Sequence, residues 1–411
     1  MSEAAGNGIS RAAGEDFDHH DVHLLGERPD LVYRNLRERG VAWSTKHEGF
    51  WVISRYEDVF RAAQRWGTFS SGKGMTLPRV SLESMPFVPI DIDPPAHNRY
   101  RQLLLPFFSP PSVARLEEPV RQFVARRIDS IVARGGGDIV KELAEPVPMF
   151  VIFELLGVPE ADRAGLAGWA HMMAHPGDDQ DVALEGATEV LVYMAELLNE
   201  RREHPGEDLI SRLLTAEVDG HRLSDDEVLS FLFLLPGAGY DTTASALGDI
   251  FFYFARNPDR WAELRADAEA LPSAVEELLR QESPVVAAAR TVTRDCTFGG
   301  QAMKAGERVL LVFAAANRDD DEFPRSEECV FGREPNRHFA FGSGAHRCLG
   351  SSLARMEIRV VLQEMLRRIQ AFSVAPDSDD IEITVGHIRG VASLPVVLEP
   401  LPASLGDHVA E

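Results

Sequence analysis

One cysteine of this chain lies in a setting that suits metal ligation. Cys348 belongs to the run Phe341-Gly-Ser-Gly-Ala-His-Arg-Cys348-Leu-Gly350, whose glycines let the backbone approach a flat object closely. A helix is predicted to start near Ser351, and the N–H groups and dipole at its N-terminus favour a thiolate. We therefore expect a lowered pKa for Cys348 and a good metal ligand. A buried structural thiol is the alternative, and the loop taken alone favours it.

A carboxylate and a hydroxyl stand side by side in the middle of a predicted buried helix. Asp241 and Thr242 follow Pro236, which lacks an N–H and is expected to kink the helix. A threonine inside a helix tends to return its hydroxyl to the carbonyl four residues back, here that of Ala238, and this loosens the helix. The pair could thus deliver protons into a groove. The alternative is two polar residues satisfied within the helix.

The complete pattern Phe-Gly-x-Gly-x-His-x-Cys-x-Gly resembles the haem-binding loop of the cytochrome P-450 superfamily. The resemblance continues from about residue 18 to residue 400. It implies haem b as cofactor and O₂ as co-substrate, with the Cys348 thiolate as axial iron ligand and Phe341 and Gly350 beside the haem. Residues 238–243 resemble the family's oxygen-activation signature, which implies that Thr242 holds dioxygen and an ordered water while Asp241 relays protons.

Further segments resemble elements of that family around the haem. Glu277-Leu-Leu-Arg280 is similar to a buried ion pair that braces the haem loop, with Arg333 as third partner and His338 as the open alternative. The segment Asp93–Arg101 is similar to one that binds the haem propionates, which an apolar cavity holds only beside cationic donors. The expected propionate partners are His97, Arg101, Arg290 and His346.

Helical periodicity predicts the elements that must position these residues. Ser224-Asp-Asp-Glu227 is a capping box that begins a helix running to Arg256, roughly 45–50 Å long and apolar nearly all round. A second capping box is expected at Ser273 and Glu276. Further helices are predicted over 113–134, 186–202, 259–282 and 350–371, and strands near 41–54, 289–312 and 391–399. The fold class is mainly α with a minor β part, and the resemblance makes it the P-450 fold, one large helical domain around haem with small sheets.

Composition restricts domain organisation and location. No linker divides the chain, so we predict one domain over 21–402, a disordered tail over 1–20 and a C-terminal tail over 403–411. The formal charge of −23 disfavours nucleic acid and anionic membranes. Neither a signal peptide nor an apolar run of about 18 residues occurs, so a cytoplasmic protein without a membrane anchor is expected.

Cysteine and histidine usage excludes other metal centres. Three cysteines are too few for a disulfide framework or a four-thiolate iron–sulfur cluster, and no CxxC spacing indicates zinc. His19, His20 and His23 could bind a metal, but a solvated acidic tail is the favoured interpretation.

The resemblance implies a monooxygenase that hydroxylates or epoxidises an apolar small molecule, with a terpenoid, polyketide or other product of secondary metabolism as the expected class. Small residues near the haem leave room for a bulky substrate. The pocket is expected to include Ala238, Val286, Ala287 and Ile388. A substrate carboxylate could be anchored by Lys73, Arg79, His387 or Arg389, although a solvated cation is the commoner role of each.

Electrons are expected from a separate ferredoxin and ferredoxin reductase, because about 60 residues after Cys348 are too few for a flavin domain. A docking patch for the acidic donor is predicted at Arg99, Arg347 and Arg355, on an otherwise monomeric protein. A peroxide-driven peroxygenase of the same fold and a non-catalytic ligand-binding relative are the alternatives. The intact pair Asp241–Thr242 argues against both.

Overall fold

The computed structural model describes residues 16–26, 29–79, 87–174, 180–218, 220–376, 378 and 381–402. Residues 1–15 of the predicted N-terminal tail over 1–20, and the predicted C-terminal tail over 403–411, lie outside these ranges. Phe17 and His19 are buried, and Phe17 packs in an apolar cluster with Leu25 and Tyr33. The packed chain therefore begins before the predicted boundary at residue 20, because an aromatic side chain near the start of the domain completes a core cluster.

Helices form most of the described structure, as predicted. In chain order they are α1 Val22–Leu25, α2 Pro29–Arg39, α3 Tyr56–Gln64, α4 Ala96–Leu104, α5 Pro110–Ala133, α6 Pro146–Leu156, α7 Arg163–Ala174, α8 Gln180–Glu203, α9 Leu209–Thr215, α10 Asp225–Arg256, α11 Pro258–Ala266, α12 Leu271–Glu282, α13 Phe313–Ala316 and α14 Ser351–Arg368. Within the described ranges, no helix combines the length and apolarity needed to cross a membrane.

The strands are short and form small sheets. They are β1 Ala42–Ser44, β2 Phe50–Ile53, β3 Phe69–Ser70, β4 Gly136–Asp138, β5 Glu217–Val218, β6 His221–Arg222, β7 Ala288–Val292, β8 Cys296–Phe298, β9 Gln301–Met303, β10 Arg308–Leu311, β11 Ile369–Val374, β12 Glu382–Thr384, β13 Gly390–Ser393 and β14 Pro395–Pro400. The largest sheet has the order β1-β2-β10-β7-β3, with β10 parallel to β2 and the other pairs antiparallel. A second sheet joins β11, β14 and β4, and β12 pairs with β13.

The long helix α10 passes through the main core. Its predicted capping box is confirmed: the Glu227 N–H donates to Ser224 Oγ and the Ser224 N–H donates to the Glu227 carboxylate at 2.7 Å. The chain is helical through Pro236, so the proline does not end the helix. At Gly248 a Cβ would lie 2.7 Å from the carbonyl oxygen of Val391, so glycine allows β13 to pack directly on the helix.

Two local predictions were wrong near α12. The predicted helix over 259–282 is two helices, because Pro272 stands in the first turn of α12 and favours a new start there. Ser273 is not an N-cap. Its hydroxyl lies inside the helix and donates to the carbonyl of Ala270 at 2.8 Å, while Glu276 bonds to Arg355 instead of capping.

Candidate active site

The loop before α14 is folded tightly around Cys348. The Cys348 N–H donates to the carbonyl of Phe341 at 2.8 Å and closes the loop. Gly344 has φ +72°, and a Cβ on it would lie 2.3 Å from the carbonyl oxygen of Ala63 at the end of α3. Glycine is therefore required where the loop packs on α3.

Burial raises the pKa of the Cys348 thiol in the protein by itself. The Gly350 N–H and the Arg101 guanidinium act in the opposite direction, but desolvation outweighs them. The predicted lowering is therefore wrong, although α14 does begin at Ser351. The side chain still keeps accessible surface. A metal cation at that surface would stabilise the thiolate and reverse the direction.

The middle of α10 has the predicted local geometry. Thr242 Oγ1 donates to the carbonyl of Ala238 at 2.9 Å, which confirms the expected bond within the helix. Ala238, Asp241 and Thr242 keep accessible surface, whereas Thr243 is buried. The carboxyl and the hydroxyl thus stand where the helix keeps accessible surface, directly before its buried stretch 243–251.

Cationic and imidazole groups from three elements converge near the cysteine loop. The rings of His97 on α4 and His346 lie 4.4 Å apart, and His97 Nδ1 and His346 Nε2 are buried without a hydrogen-bond partner. Burial lowers the pKa of His346 to about 3, and Arg290 on β7, His97 and Arg101 add to the lowering. The Arg290 guanidinium is buried and donates to the carbonyl of Ala289 at 2.7 Å.

This set of groups fits haem. One ring nitrogen of His97 and one of His346 are buried without partners, and they lie beside Arg101 and Arg290. Such a set needs anionic hydrogen-bond acceptors, which the two propionates of haem would supply. Arg101 lies close enough to influence both His346 and Cys348, so the thiol and the donors belong to one site. The glycine loop adds a surface that a flat macrocycle can approach. The predicted residues Phe341 and Gly350 are partly accessible there.

A buried ion-pair network braces the loop from the side of α12. Arg280 donates two hydrogen bonds to the Glu277 carboxylate, both 2.8 Å, and neither side chain is exposed. Arg333 Nε lies 3.0 Å from Glu277 Oε1. His338 instead lies 3.1 Å from the neighbouring Glu276. The geometry thus places Arg333 in the third position that the sequence left open.

Arg355 has a different environment from the one predicted. Its guanidinium makes two 2.6 Å hydrogen bonds to Glu276 and lies 4.3 Å from the ring centre of Phe341. Its charge is therefore compensated by Glu276, which makes Arg355 a poor candidate for binding an electron-donor protein. Arg99 and Arg347 are exposed, so the predicted patch reduces to these two.

The substrate-side predictions need two corrections. Val286 and Ala287 have no accessible surface and pack in the cluster that contains Phe17 and Leu25. The neighbouring Val285, which pairs with Ile388 in an isolated bridge, keeps accessible surface. The side chain that keeps accessible surface is thus that of Val285, while Val286 and Ala287 both turn towards the core cluster.

Arg389 is also not a surface anchor for a substrate carboxylate. It is buried, donates to the carbonyl oxygens of Leu25 and Gly26, and lies 3.6 Å from Asp249. Lys73 and Arg79 are exposed. The arginine therefore joins the N-terminal segment to α10.

Two buried carboxyl groups escaped the sequence analysis. Glu357 on α14 has an oxygen without a partner, and burial raises its pKa to about 8. Burial also raises the pKa of Asp249 on α10 to about 8, against the opposing charge of Arg389. The sequence signal that could have found both groups is an acidic residue at an otherwise apolar position of a predicted helix. Burial therefore disfavours the charged form of both carboxyl groups.

Comparisons with known proteins identify the family of the chain. The family model described as Cytochrome P450 matches residues 183–397. The chain is 40% identical over 363 residues to cytochrome P450 130 of Mycobacterium tuberculosis, covering 84% of this chain and 89% of that protein. It is 36% identical over 360 residues to a methyl-branched lipid omega-hydroxylase of Mycobacterium bovis, covering 85% and 84%. The solved structure of cytochrome P450 CYP109Q5 from Chondromyces apiculatus superposes with a TM-score of 0.86 at 33% identity, covering 94% of this chain and 99% of that chain.

Proposed function

Because the chain belongs to the cytochrome P450 family, we propose that it is a monooxygenase whose Cys348 thiolate ligates haem iron and whose substrate is an apolar lipid or natural product. The observation that carries the assignment of residues is the convergence of orphaned donors, His97 and His346 with Arg290, beside the Cys348 loop. The similarity to a lipid hydroxylase supports an apolar substrate class.

In this proposal the chain holds haem b from two sides. Cys348 would ligate the iron, Arg101 and Arg290 would neutralise the propionates, and His97 and His346 would donate hydrogen bonds to them. The bound haem supplies the redox-active iron at which dioxygen is activated. The residues themselves fix its orientation and exclude water from its faces.

Replacing Arg101 by glutamine is expected to speed haem loss roughly 10- to 100-fold, because a hydrogen bond to a charged group contributes about 1.5–3 kcal/mol. Haem transfer to excess apomyoglobin measures the rate. Arg99→Gln is the matched control, since Arg99 is exposed on the same helix. Equal rates of loss from both variants would refute the role of Arg101 in propionate binding.

Thr242 and Asp241 handle protons in this proposal. The Thr242 hydroxyl donates to Ala238, so its oxygen lone pairs remain to accept a hydrogen bond from an ordered water. Asp241 keeps accessible surface on the adjacent position and can exchange protons with solvent. The two side chains therefore deliver protons at the accessible face of α10, which general acid catalysis of oxygen reduction requires.

Thr242→Ala is expected to lower the ratio of product formed to reductant consumed by about tenfold or more, with haem still bound, because the hydroxyl that positions the proton-donating water is lost. Hydrogen peroxide released per reductant measures the uncoupling. Thr242→Ser keeps a hydroxyl and is expected to stay coupled. Unchanged coupling in the alanine variant would contradict the proton-delivery role of Thr242.

We assign the electron supply to a separate ferredoxin with its reductase, docking over Arg99 and Arg347. Both arginines are exposed, Arg99 lies on the same helix as Arg101, and Arg347 directly precedes the proposed iron ligand. On a chain of net charge −23, a local basic patch would orient an acidic donor.

Arg347→Glu is expected to slow haem reduction by a ferredoxin roughly tenfold at low ionic strength, with the difference shrinking as salt is added. Stopped-flow reduction under carbon monoxide measures the rate. Arg202→Glu on α8 is the control, since this arginine is also exposed. Equal slowing in both variants would show an effect of net charge and not of docking.

The substrate class can be tested without a named substrate. Val285, Ile388 and Ala238 are apolar and keep accessible surface, which supports binding of an apolar ligand. A panel of lipids and polyketides is screened for displacement of iron-bound water in the absorption spectrum. Spectral responses confined to highly charged molecules would contradict the proposal.

A further inference from the structure

The N-terminal segment Asp16–Gly26, called the strap below, is held at both ends. At its start the Asp16 carboxylate accepts hydrogen bonds from the N–H and hydroxyl of Thr45, and the Phe17 carbonyl accepts one from Ser44 Oγ at 2.8 Å. At its end the Leu25 carbonyl accepts a 2.9 Å hydrogen bond from Arg389 Nε. The strap therefore spans from the β1–β2 hairpin to the segment before β13.

Between its two ends the strap carries His19 and His20, which lie next to His47. His19 is completely buried, and neither ring nitrogen has a hydrogen-bond partner. Its ring lies 4.2 Å from that of His20 and 6.1 Å from that of His47. The described residues form no group with metal-binding geometry, so the metal alternative considered for the N-terminal histidines is not supported there. The predicted solvated tail is also wrong at His19, because the fold covers it.

The strap lies against the segment that carries Ile388. His20 Nε2 donates to the carbonyl of Leu77 at 2.8 Å, and a Cβ on Gly386 would lie 3.2 Å from His20 Nδ1. The ring of His387 bonds to the backbone of Ala287 and is close enough to His19 to influence its pKa. Strap, Gly386–Arg389 and the Val285 segment are thus packed in successive layers, with Ile388 paired to Val285 and partly accessible.

Few groups can compensate a proton taken up in this cluster. His19 is faced by His20 from the strap, His387 from the loop and His47 from the hairpin, and by one carboxylate, that of Asp18. Asp18 already lies 2.9 Å from His47 Nε2. The other buried histidine of the cluster, His387, is faced by Arg290 and His20. A proton taken up by His19 would therefore meet, in a desolvated place, a carboxylate that already bonds to His47, and one taken up by His387 would stand near the Arg290 cation.

We propose that the strap is a latch that positions Ile388 on the substrate side of the site, and that it opens when its histidine cluster takes up protons. The connection to substrate rests on the proposed function, since Ile388 is a predicted pocket residue. The opening of the latch does not depend on the proposed function.

The direction with pH follows from linkage. Burial lowers the pKa of His19 to about 3 and that of His387 to about 4, whereas both would return to about 6.5 when exposed. The closed latch is thus fully favoured above pH 6.5 and weakens as the pH falls towards 4. Between pH 7 and 5 the opening constant should rise about 25-fold for one histidine and several hundredfold for both. The pKa of Asp16 and that of Asp18 are lowered, so these carboxylates stay ionised in this window.

Hydrogen exchange of the full haem-loaded chain at pH 7 and pH 5 tests the latch, after correction for the intrinsic rate. Protection of peptides covering 16–26 and 385–390 is expected to fall about 25-fold or more, while residues 246–255 of α10 keep theirs. His19→Phe keeps a ring that cannot take up a proton. Its fall in protection between pH 7 and pH 5 should therefore be about 25-fold smaller than that of the native chain. His204→Gln, at an exposed histidine, should retain the full response.

A second variant covers the case in which His19→Phe does not fold. Ser44→Ala removes the bond to the Phe17 carbonyl and should lower strap protection at pH 7 about fivefold without changing its pH dependence. A flat pH response in the strap, or an equal loss in α10, would overturn the latch.

Association of phenyl isocyanide with the reduced haem probes the substrate side with a ligand that does not titrate. The rate is expected to rise from pH 7 to 5 in the native chain and less in His19→Phe. If the association rate stayed unchanged while the strap lost protection, only the link between the strap and Ile388 would be refuted. A failure of the haem–thiolate assignment would appear separately, in the carbonyl spectrum.

Discussion

Replacing Cys348 by serine is expected to abolish the strongly red-shifted Soret band of the reduced carbonyl complex and all monooxygenation. The shift depends on electron donation from a thiolate, which also favours O–O cleavage, and a serine hydroxyl cannot supply it. The fold should persist, because the loop is closed by backbone hydrogen bonds and by the packing of Gly344 on Ala63. The absorption spectrum of the reduced protein under carbon monoxide measures the change.

Cys296→Ser is the matched control for this prediction. Cys296 is also a free cysteine, but it lies on β8 outside the glycine loop, and burial raises its pKa against the charges of Arg294 and Arg65. Its serine variant should keep the red-shifted band. A red-shifted band that survives in Cys348→Ser would overturn the assignment of the iron ligand.

Replacing Glu277 by glutamine is expected to lower the free energy of unfolding by about 3–5 kcal/mol, because it leaves Arg280 and Arg333 as uncompensated buried cations. The native carboxylate also accepts a hydrogen bond from the Val330 N–H at 2.8 Å and one from Asn336. Chemical denaturation of the haem-loaded protein, followed by circular dichroism, measures the loss.

Glu328→Gln provides the comparison, because Glu328 pairs with Arg325 at the same three-residue spacing but at an exposed surface. Its effect should stay within about 0.5 kcal/mol. Equal effects of the two variants would contradict the bracing role of the buried pair.

Acid should act on the same network. Hydrogen bonds and arginine charges, opposed by burial, lower the pKa of Glu277 and that of Glu276, the latter to about 2. Carboxylates with lowered pKa stabilise the fold above their ordinary value near 4.5 and lose this contribution as the pH falls towards 2. The buried network thus favours stability at neutral pH.

Local signals predicted local structure well. The capping box at Ser224 and Glu227 starts α10, and Thr242 bonds to Ala238, because both interactions join residues within one helical turn. The same type of signal failed at Ser273. Pro272, which fits the first turn of a helix, moved the start of α12 upstream and placed Ser273 inside it.

Side-chain direction in the substrate-facing segment was less predictable. The sequence gives a run of small apolar residues, and any of them could face the site. Val285 keeps accessible surface, whereas the adjacent Val286 and Ala287 both join the core cluster that contains Phe17 and Leu25. Packing of Phe17 and Leu25, more than 250 positions earlier in the chain, decides between these alternatives.

The sequence by itself determined the mainly helical class, the buried helix with Asp241 and Thr242, and the cysteine loop, because each is encoded by residues within about ten positions of one another. Only the tertiary structure decided the partners of the buried charges. It placed Arg333 on Glu277, Arg355 on Glu276, and Arg389 between the strap and α10. Such pairs join residues far apart in the chain, and a buried charge binds whichever compensating group the packing brings to it.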